Sequence, residues 1–463
     1  MNYKSTIVVF VLAVLSAAAA IVTHNSDQKD DKKTNGVIPL LTPEQFPRDD
    51  INKITLKRSD AEPIVFSRTD KGWAQSEPFA FKMDRFSMRQ LLVLPDQVMV
   101  SDVIPSSQQT GNLATKELSL SPALAELIYE WADGQLKLQF GRRGVAGRWY
   151  VRIAGQEPVY IATGDLYERA VEANPKEWRD RTIFTNASVN SDKIIVNLGN
   201  SQVELIRDKK QWKMNTPVKT RLDDVAMDEL FRALTTAKSG GFIADQPGSL
   251  SEFGLADPTG SVVVSWTEVT SEGTKIVKTT KQETLLLGTS KGIGSGDRFG
   301  MMQDQGVVFI LPEKMLRGIF RNASTLVART ASGILPVNIK AIEINTPQGM
   351  LRLERVLERW TAPQHHVNVP AHYVNKFLDN MTSLKAPEIR IEQYPGDLQV
   401  ATVKFIGFDS FPMDTVRIVR DRDTKKWAFE NGDNVLRVFP SSLELRLTPE
   451  DYGIKPQSQE STP

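Results

Sequence analysis

Apolar positions along the chain fall into a series of short elements, and the series repeats. Ile51-Asn-Lys-Ile-Thr-Leu56 and Pro63-Ile-Val-Phe66 alternate apolar and polar residues around a Ser-Asp turn, predicting a β-hairpin. A third strand follows Asp70-Lys-Gly72 and carries Trp73-Ala-Gln-Ser-Glu-Pro78. Asp84 then stands where a helix N-cap belongs, and Phe86, Met88, Leu91 and Leu92 supply an apolar stripe that Pro95 stops. The second copy has Ile194–Leu198, Val203–Ile206, the turn Asp208–Gln211, and Trp212-Lys-Met-Asn-Thr-Pro217. In it Asp223 caps a helix whose Val225, Met227, Leu230, Phe231 and Leu234 fall near i, i+3, i+4 spacing. The third copy has Ile339–Ile344, Met350–Leu353, Trp360-Thr-Ala-Pro363, and a helix with Pro370 in its first turn and Val374, Phe377, Leu378 and Met381 on one face.

Trp73, Trp212 and Trp360 are roughly 140–150 residues apart, a period too long for a solenoid and about the length of a domain. A β-rich second half follows each helix. In the first copy it comprises Leu136–Phe140, Arg148–Ile153 and Pro158–Ile161; in the second, Val262–Trp266, Thr284–Gly288, Phe299–Met302 and Val307–Ile310. Gly164–Ala170 and Glu313–Ile319 then match as short helices. The third copy reads as truncated or divergent after its helix, with Val400–Phe405, Thr415–Arg420 and Trp427–Phe429. The expectation is an α+β class: tandem antiparallel sheets with helices packed on one side. The predicted division is a membrane anchor or signal peptide at 1–23, a linker at 24–47, modules at 48–187, 188–332 and 333–454, and a disordered tail at 455–463.

Thr6–Val22 is uncharged and apolar, and as a helix it would span about 26 Å at ~1.5 Å per residue, near the lower limit for a membrane span. Ser16-Ala-Ala-Ala-Ala20 also suits signal-peptide cleavage, but the apolar run continues through Ile21-Val22, which favours an uncleaved anchor. Flanking charge orients it weakly: Lys29, Lys32 and Lys33 are mixed with Asp27, Asp30 and Asp31. The short leading tail points to N-terminus inside, with the bulk of the chain extracytoplasmic. The polar, then proline-bearing stretch up to residue 47 reads as a tether.

Composition removes more functions than it supports. At 463 residues, with 40% apolar and 24% charged residues, the chain is an ordinary folded protein too long for one core. Lysine plus arginine (57) balance aspartate plus glutamate (56), so charge gives no reason to expect nucleic acid. There is no cysteine, which excludes disulfides, thiolate catalysis, cysteine-bound zinc and lipid attachment through an N-terminal cysteine.

Phe253-Gly-Leu-Ala-Asp-Pro258 before a strand, Leu285-Leu-Leu-Gly288, Trp178-Arg-Asp-Arg-Thr-Ile-Phe184 and the Trp-x4-Pro signature together resemble the bacterial domain of unknown function 4340 family. The resemblance covers roughly residues 50 to 330 and extends towards 450; Leu118-Ser-Leu-Ser-Pro122 departs from the Phe-Gly-Leu-Ala-Asp-Pro pattern. It implies membrane-anchored envelope proteins, often encoded beside gliding-motility-type ABC transporter components. It implies no catalytic residues.

The remaining constellations are weighed against ordinary structural roles. The three tryptophans could be glycan platforms, but repetition at one structural position favours packing of each strand against its helix. Lys291-Gly-Ile-Gly-Ser-Gly296 lacks the ending of a phosphate loop and leads into a strand, so it reads as a hairpin turn. His365, His366 and His372 gather without an acidic pair or an HExxH helix, and solvated loop histidines are the better reading. Arg142, Arg143 and Arg148, or Arg179 and Arg181, could mark an anionic contact surface, although nearby acids favour a salt-bridged face. No serine has a G-x-S-x-G context. No catalytic, cofactor-binding or metal-ligating residue is assigned. The expected function is a non-enzymatic, single-pass protein of the cytoplasmic membrane, anchored through residues 6–22, acting as an accessory or scaffold for integral membrane subunits of a transporter-like complex. The alternative is a periplasmic binding module for a glycan or envelope polymer, which would display exposed aromatics.

Overall fold

The computed structural model describes residues 38–109, 116–188, 190–272 and 275–454. The span Thr6–Val22, the beginning of the linker and the tail 455–463 lie outside the described residues. Among those described, no helix is long and apolar enough to cross a membrane.

Three antiparallel sheets, of ten, nine and nine strands, form most of the regular structure, and helices are few. The second sheet comprises, in chain order, Lys193–Leu198, Ser201–Asp208, Gln211–Thr216, Thr220–Arg221, Phe242–Asp245, Gly260–Glu272, Lys275–Ser290, Arg298–Met302 and Val307–Leu311. Its first four strands meander outward to one edge. The first strand pairs with the sixth, the sixth to ninth meander outward the other way, and the fifth closes that edge beside the ninth. The third sheet runs from Ala341–Thr346 to Val435–Phe439 and repeats this order strand for strand. The first sheet repeats it from Lys53–Arg58 to Val159–Thr163 and adds Ile38–Pro39 outside Met99–Ile104.

Two features differ from the sequence reading. The third sheet has nine strands where the pattern shows six, because Val367–Val369 and Glu388–Ile391 are too short to display alternation and Val435–Phe439 is buried at every position. The stretch read as a tether up to residue 47 joins the first core from Ile38 onward, burying Leu40, Leu41 and Phe46, with Phe46 edge-on to Tyr129 at 5.0 Å.

Alternation places each sheet. Ile194 and Val196 on the second sheet's first strand pair with Val264 and Val262 on its sixth, and all four are buried. The helix between the fourth and fifth strands covers this apolar face: Met227, Leu230 and Leu234 of helix Asp224–Thr235 belong to the same core. Its counterparts are Arg85–Val93 and Ala371–Thr382. Asp84 accepts from the Ser87 N–H at 2.8 Å and Asp223 from the Ala226 N–H at 3.1 Å, so both caps form as the spacing predicts. Pro370 occupies the third cap position itself and has no side-chain cap bond.

The chain divides into two compact units, one up to Asp180 and one from Arg181 onward. The first holds the first sheet. The second holds the other two sheets, and these are not independent: Val435 of the third sheet lies in the second core, with Ile389 and Ile391 packed against it. Arg437, fully buried, fastens this joint. It donates to the Ala328 carbonyl at 2.9 Å, to Asp433 at 2.8 Å and to the Thr220 hydroxyl at 3.3 Å. A buried guanidinium is tolerated there because these partners replace its lost hydration.

Candidate functional site

The signature tryptophans share a register that the sequence reading overlooked. Arg68 pairs across the hairpin with Trp73, Arg207 with Trp212, and Arg355 with Trp360, an Arg-x4-Trp spacing present in all three copies. Each arginine's backbone N–H also donates back to the start of its module, to Asn52, Asp192 and Lys340 at 2.8 Å. The spacing was legible in the sequence; its meaning needed the pairing.

The tryptophans differ in exposure, and the edge strands explain why. Trp360 is 5% exposed because Val367–Val369 pairs directly with it, through Val369. In the other two modules the fourth strand is shorter and begins to pair one residue further along, at Ala74 and Lys213. Trp73 and Trp212 are therefore half-buried and packed against their cores; the Trp73 carbonyl still accepts from the Met83 N–H at 3.1 Å, whereas Trp212 is open on the strand edge. Trp212 meets Phe231 of the following helix at 5.3 Å and 66°, so packing and exposure coexist in one side chain.

That open edge borders a cleft of about 500 Å3 between the Trp212 strand and helix Asp224–Thr235. Trp212, Phe231 and Met227 give it apolar surface; Arg207, Lys210, Lys213 and Arg221 bring cations, and Asp224 and Asp228 bring carboxylates. Lys213 is paired with Asp208 at 2.8 Å. Arg221 donates through one terminal nitrogen to the carbonyls of Thr330 and Ala331 at 3.0 and 3.3 Å, while its Nε–H is buried without a partner. Burial, and then the nearby Arg437, pushes the Arg221 guanidinium below its usual pKa; Asp414 and Asp433 oppose this. Gly333 makes room for it, since a Cβ there would lie 2.5 Å from the other terminal nitrogen.

The family-like motifs resolve into one packing contact. Gly254 has φ +64° and ends the turn Ser251–Phe253, and a Cβ on Gly288 would lie 2.1 Å from the Phe253 carbonyl oxygen. Leu255 beside them forms a small separate core with Met301 and Val308. In the first module Leu118-Ser-Leu-Ser-Pro122 makes the same contact. Ser119 takes the left-handed position at φ 55°, a Cβ on Gly141 would lie 2.2 Å from the Leu118 carbonyl oxygen, and Leu118, Leu120 and Val159 form the matching small core. The sequence departure leaves the geometry intact.

The other sequence candidates have structural placements. His365 ends a short turn, His366 is left-handed at φ 53°, and exposed His372 lies 4.0 Å from the Tyr373 ring. Among the described residues, no group of three or more His, Asp or Glu side chains is placed to hold a metal ion. Lys291–Gly296 is a turn between two strands, closed by the Ser290 hydroxyl on the carbonyls of Gly292 and Ser295. Arg143 pairs with Glu172 at 3.2 Å and stands over Tyr167. Arg179 is buried over Phe79 and Phe81, so it is packing material and not part of an anionic surface.

The family model described as Domain of unknown function (DUF4340) matches residues 104–218 and 212–410, more than half of the chain. No curated protein and no solved structure matches.

Proposed function

We propose that this chain, which belongs to the DUF4340 family of unknown function, is a non-enzymatic scaffold. In this reading Thr6–Val22 is a membrane helix that holds the modules on the outer side of the cytoplasmic membrane, where they bind integral membrane subunits of a transporter-like assembly. One template used three times gives a large area of sheet and helix surface, the kind of surface that holds other proteins.

The observation that carries the reading is a two-stranded arm in the second sheet. Strands Gly260–Glu272 and Lys275–Ser290 stay paired from Trp266 with Lys281 to Glu272 with Lys275. Their outer neighbours stop earlier, at Ser265 on one side and Leu285 on the other. Seven cross-strand pairs thus run on for roughly 20 Å with outer edges that have no strand partner among the described residues. Exposed edges of this kind are templates for another chain, and a lone hairpin gains stability from one. The sequence pattern hides the arm because Thr267, Glu268, Thr270, Lys278 and Thr280 are exposed, leaving no apolar alternation.

The test is site-specific photocrosslinking from Val269 and Ile276, exposed on the arm, in membranes containing the full chain. The reading expects an integral membrane protein in the crosslinked product, lost when the arm is shortened to a tight turn after Ser265. Recovery of the chain alone from both positions, with substrate turnover by the purified protein, overturns it.

A further inference from the structure

The cleft beside Trp212 has a composition that the scaffold reading does not use. Its three kinds of surface are complementary to three different groups. The half-buried indole, backed by Phe231, offers a flat apolar face. Lys210 and Arg221 supply positive charge, and the Arg221 Nε–H is buried without an acceptor. A buried donor in that state is costly, and the guanidinium that carries it lines the cleft. Asp224 and Asp228 supply acceptors on the helix side of the same cleft.

We propose that this cleft binds an acidic saccharide, with a sugar ring on Trp212, its carboxylate towards Lys210 and Arg221, and its hydroxyls donating to Asp224 and Asp228. Each element of the class follows from a lining group. Carbon-bound hydrogens of a pyranose ring pack on an indole face, and the aromatic surface is displayed at little entropic cost. A single carboxylate can pair with the guanidinium and is repelled by the two aspartates less than a polyphosphate, which would face them at higher charge. The volume, about 500 Å3, suits a ligand of one or two sugar residues. The third module offers no equivalent aromatic face, since Trp360 is covered by Val367–Val369. The inference stands apart from the scaffold reading, and either can fail without the other.

Titration calorimetry on the full-length chain in detergent tests it, with trigalacturonate as probe, maltotriose as the neutral control and tetraglutamate as the acidic peptide control. The expected result is saturable, salt-sensitive binding of trigalacturonate and no binding of either control. Affinity should fall about tenfold or more in Trp212→Ala and in Lys210→Glu. Lys210 lies at an exposed turn, so Lys210→Glu reports binding even where Trp212→Ala loses its fold. No binding of trigalacturonate, equal binding by Lys210→Glu, or tighter binding of tetraglutamate than of the saccharide each overturns the proposal.

Discussion

Gly288 lies directly against the carbonyl of Phe253: a Cβ on this glycine would sit 2.1 Å from that oxygen, well inside van der Waals contact. The same relationship recurs between Gly141 and Leu118, where it is 2.2 Å. In both modules the strand and the preceding turn approach so closely that only hydrogen fits. Gly288→Ala should therefore force the turn off the sheet and cost about 2–4 kcal/mol. Chemical denaturation of the second unit reads this out, and an unchanged midpoint would show that the turn relaxes freely.

Arg437 should be worth more to stability than any surface ion pair. Arg437→Ala leaves the Asp433 carboxylate at the joint between the second and third sheets without its cation, held only by the Thr220 hydroxyl and the Val435 N–H, and loss of one partner of a buried pair costs about 3–5 kcal/mol. Hydrogen exchange should quicken on both sides of the joint, in the strands around Thr220 and around Val435. Exchange in residues 53–163 should stay unchanged, because the first sheet belongs to the other compact unit.

The tryptophans should separate by edge coverage and not by sequence. Trp360→Ala empties a closed site and should cost about 3–5 kcal/mol, while Trp212→Ala leaves a half-open one and should cost distinctly less. Thermal melts of the two variants decide the order. The reverse order would mean that the Phe231 contact outweighs burial.

Acid should loosen the Glu388–Ile391 edge of the third sheet. Hydrogen bonding to Arg390, and then to Lys426, holds the Glu388 carboxyl below the usual glutamate range. A depressed folded-state pKa means the contribution is full above the unfolded-state value and is lost as pH falls through the folded one. Exchange protection of Ile389 and Ile391 should drop in that acid window for the native chain. In Glu388→Gln it should stay flat there, as followed by hydrogen exchange across pH.

The sequence by itself determined the local elements. Alternation marks Ile194–Leu198 and its counterparts, Asp84 and Asp223 announce helix starts, and the repeated Trp fixes three copies in series, because these signals act over a few residues. Only the tertiary structure decided which edges meet. Strand order, the cover that Val367–Val369 lays on Trp360, the Arg437 joint and the free arm beyond Ser265 all depend on pairings distant in sequence. The short edge strands bury little of their own, and the arm buries almost nothing. No hydrophobic period records them, and their conformation follows from hydrogen-bond partners supplied by other parts of the chain.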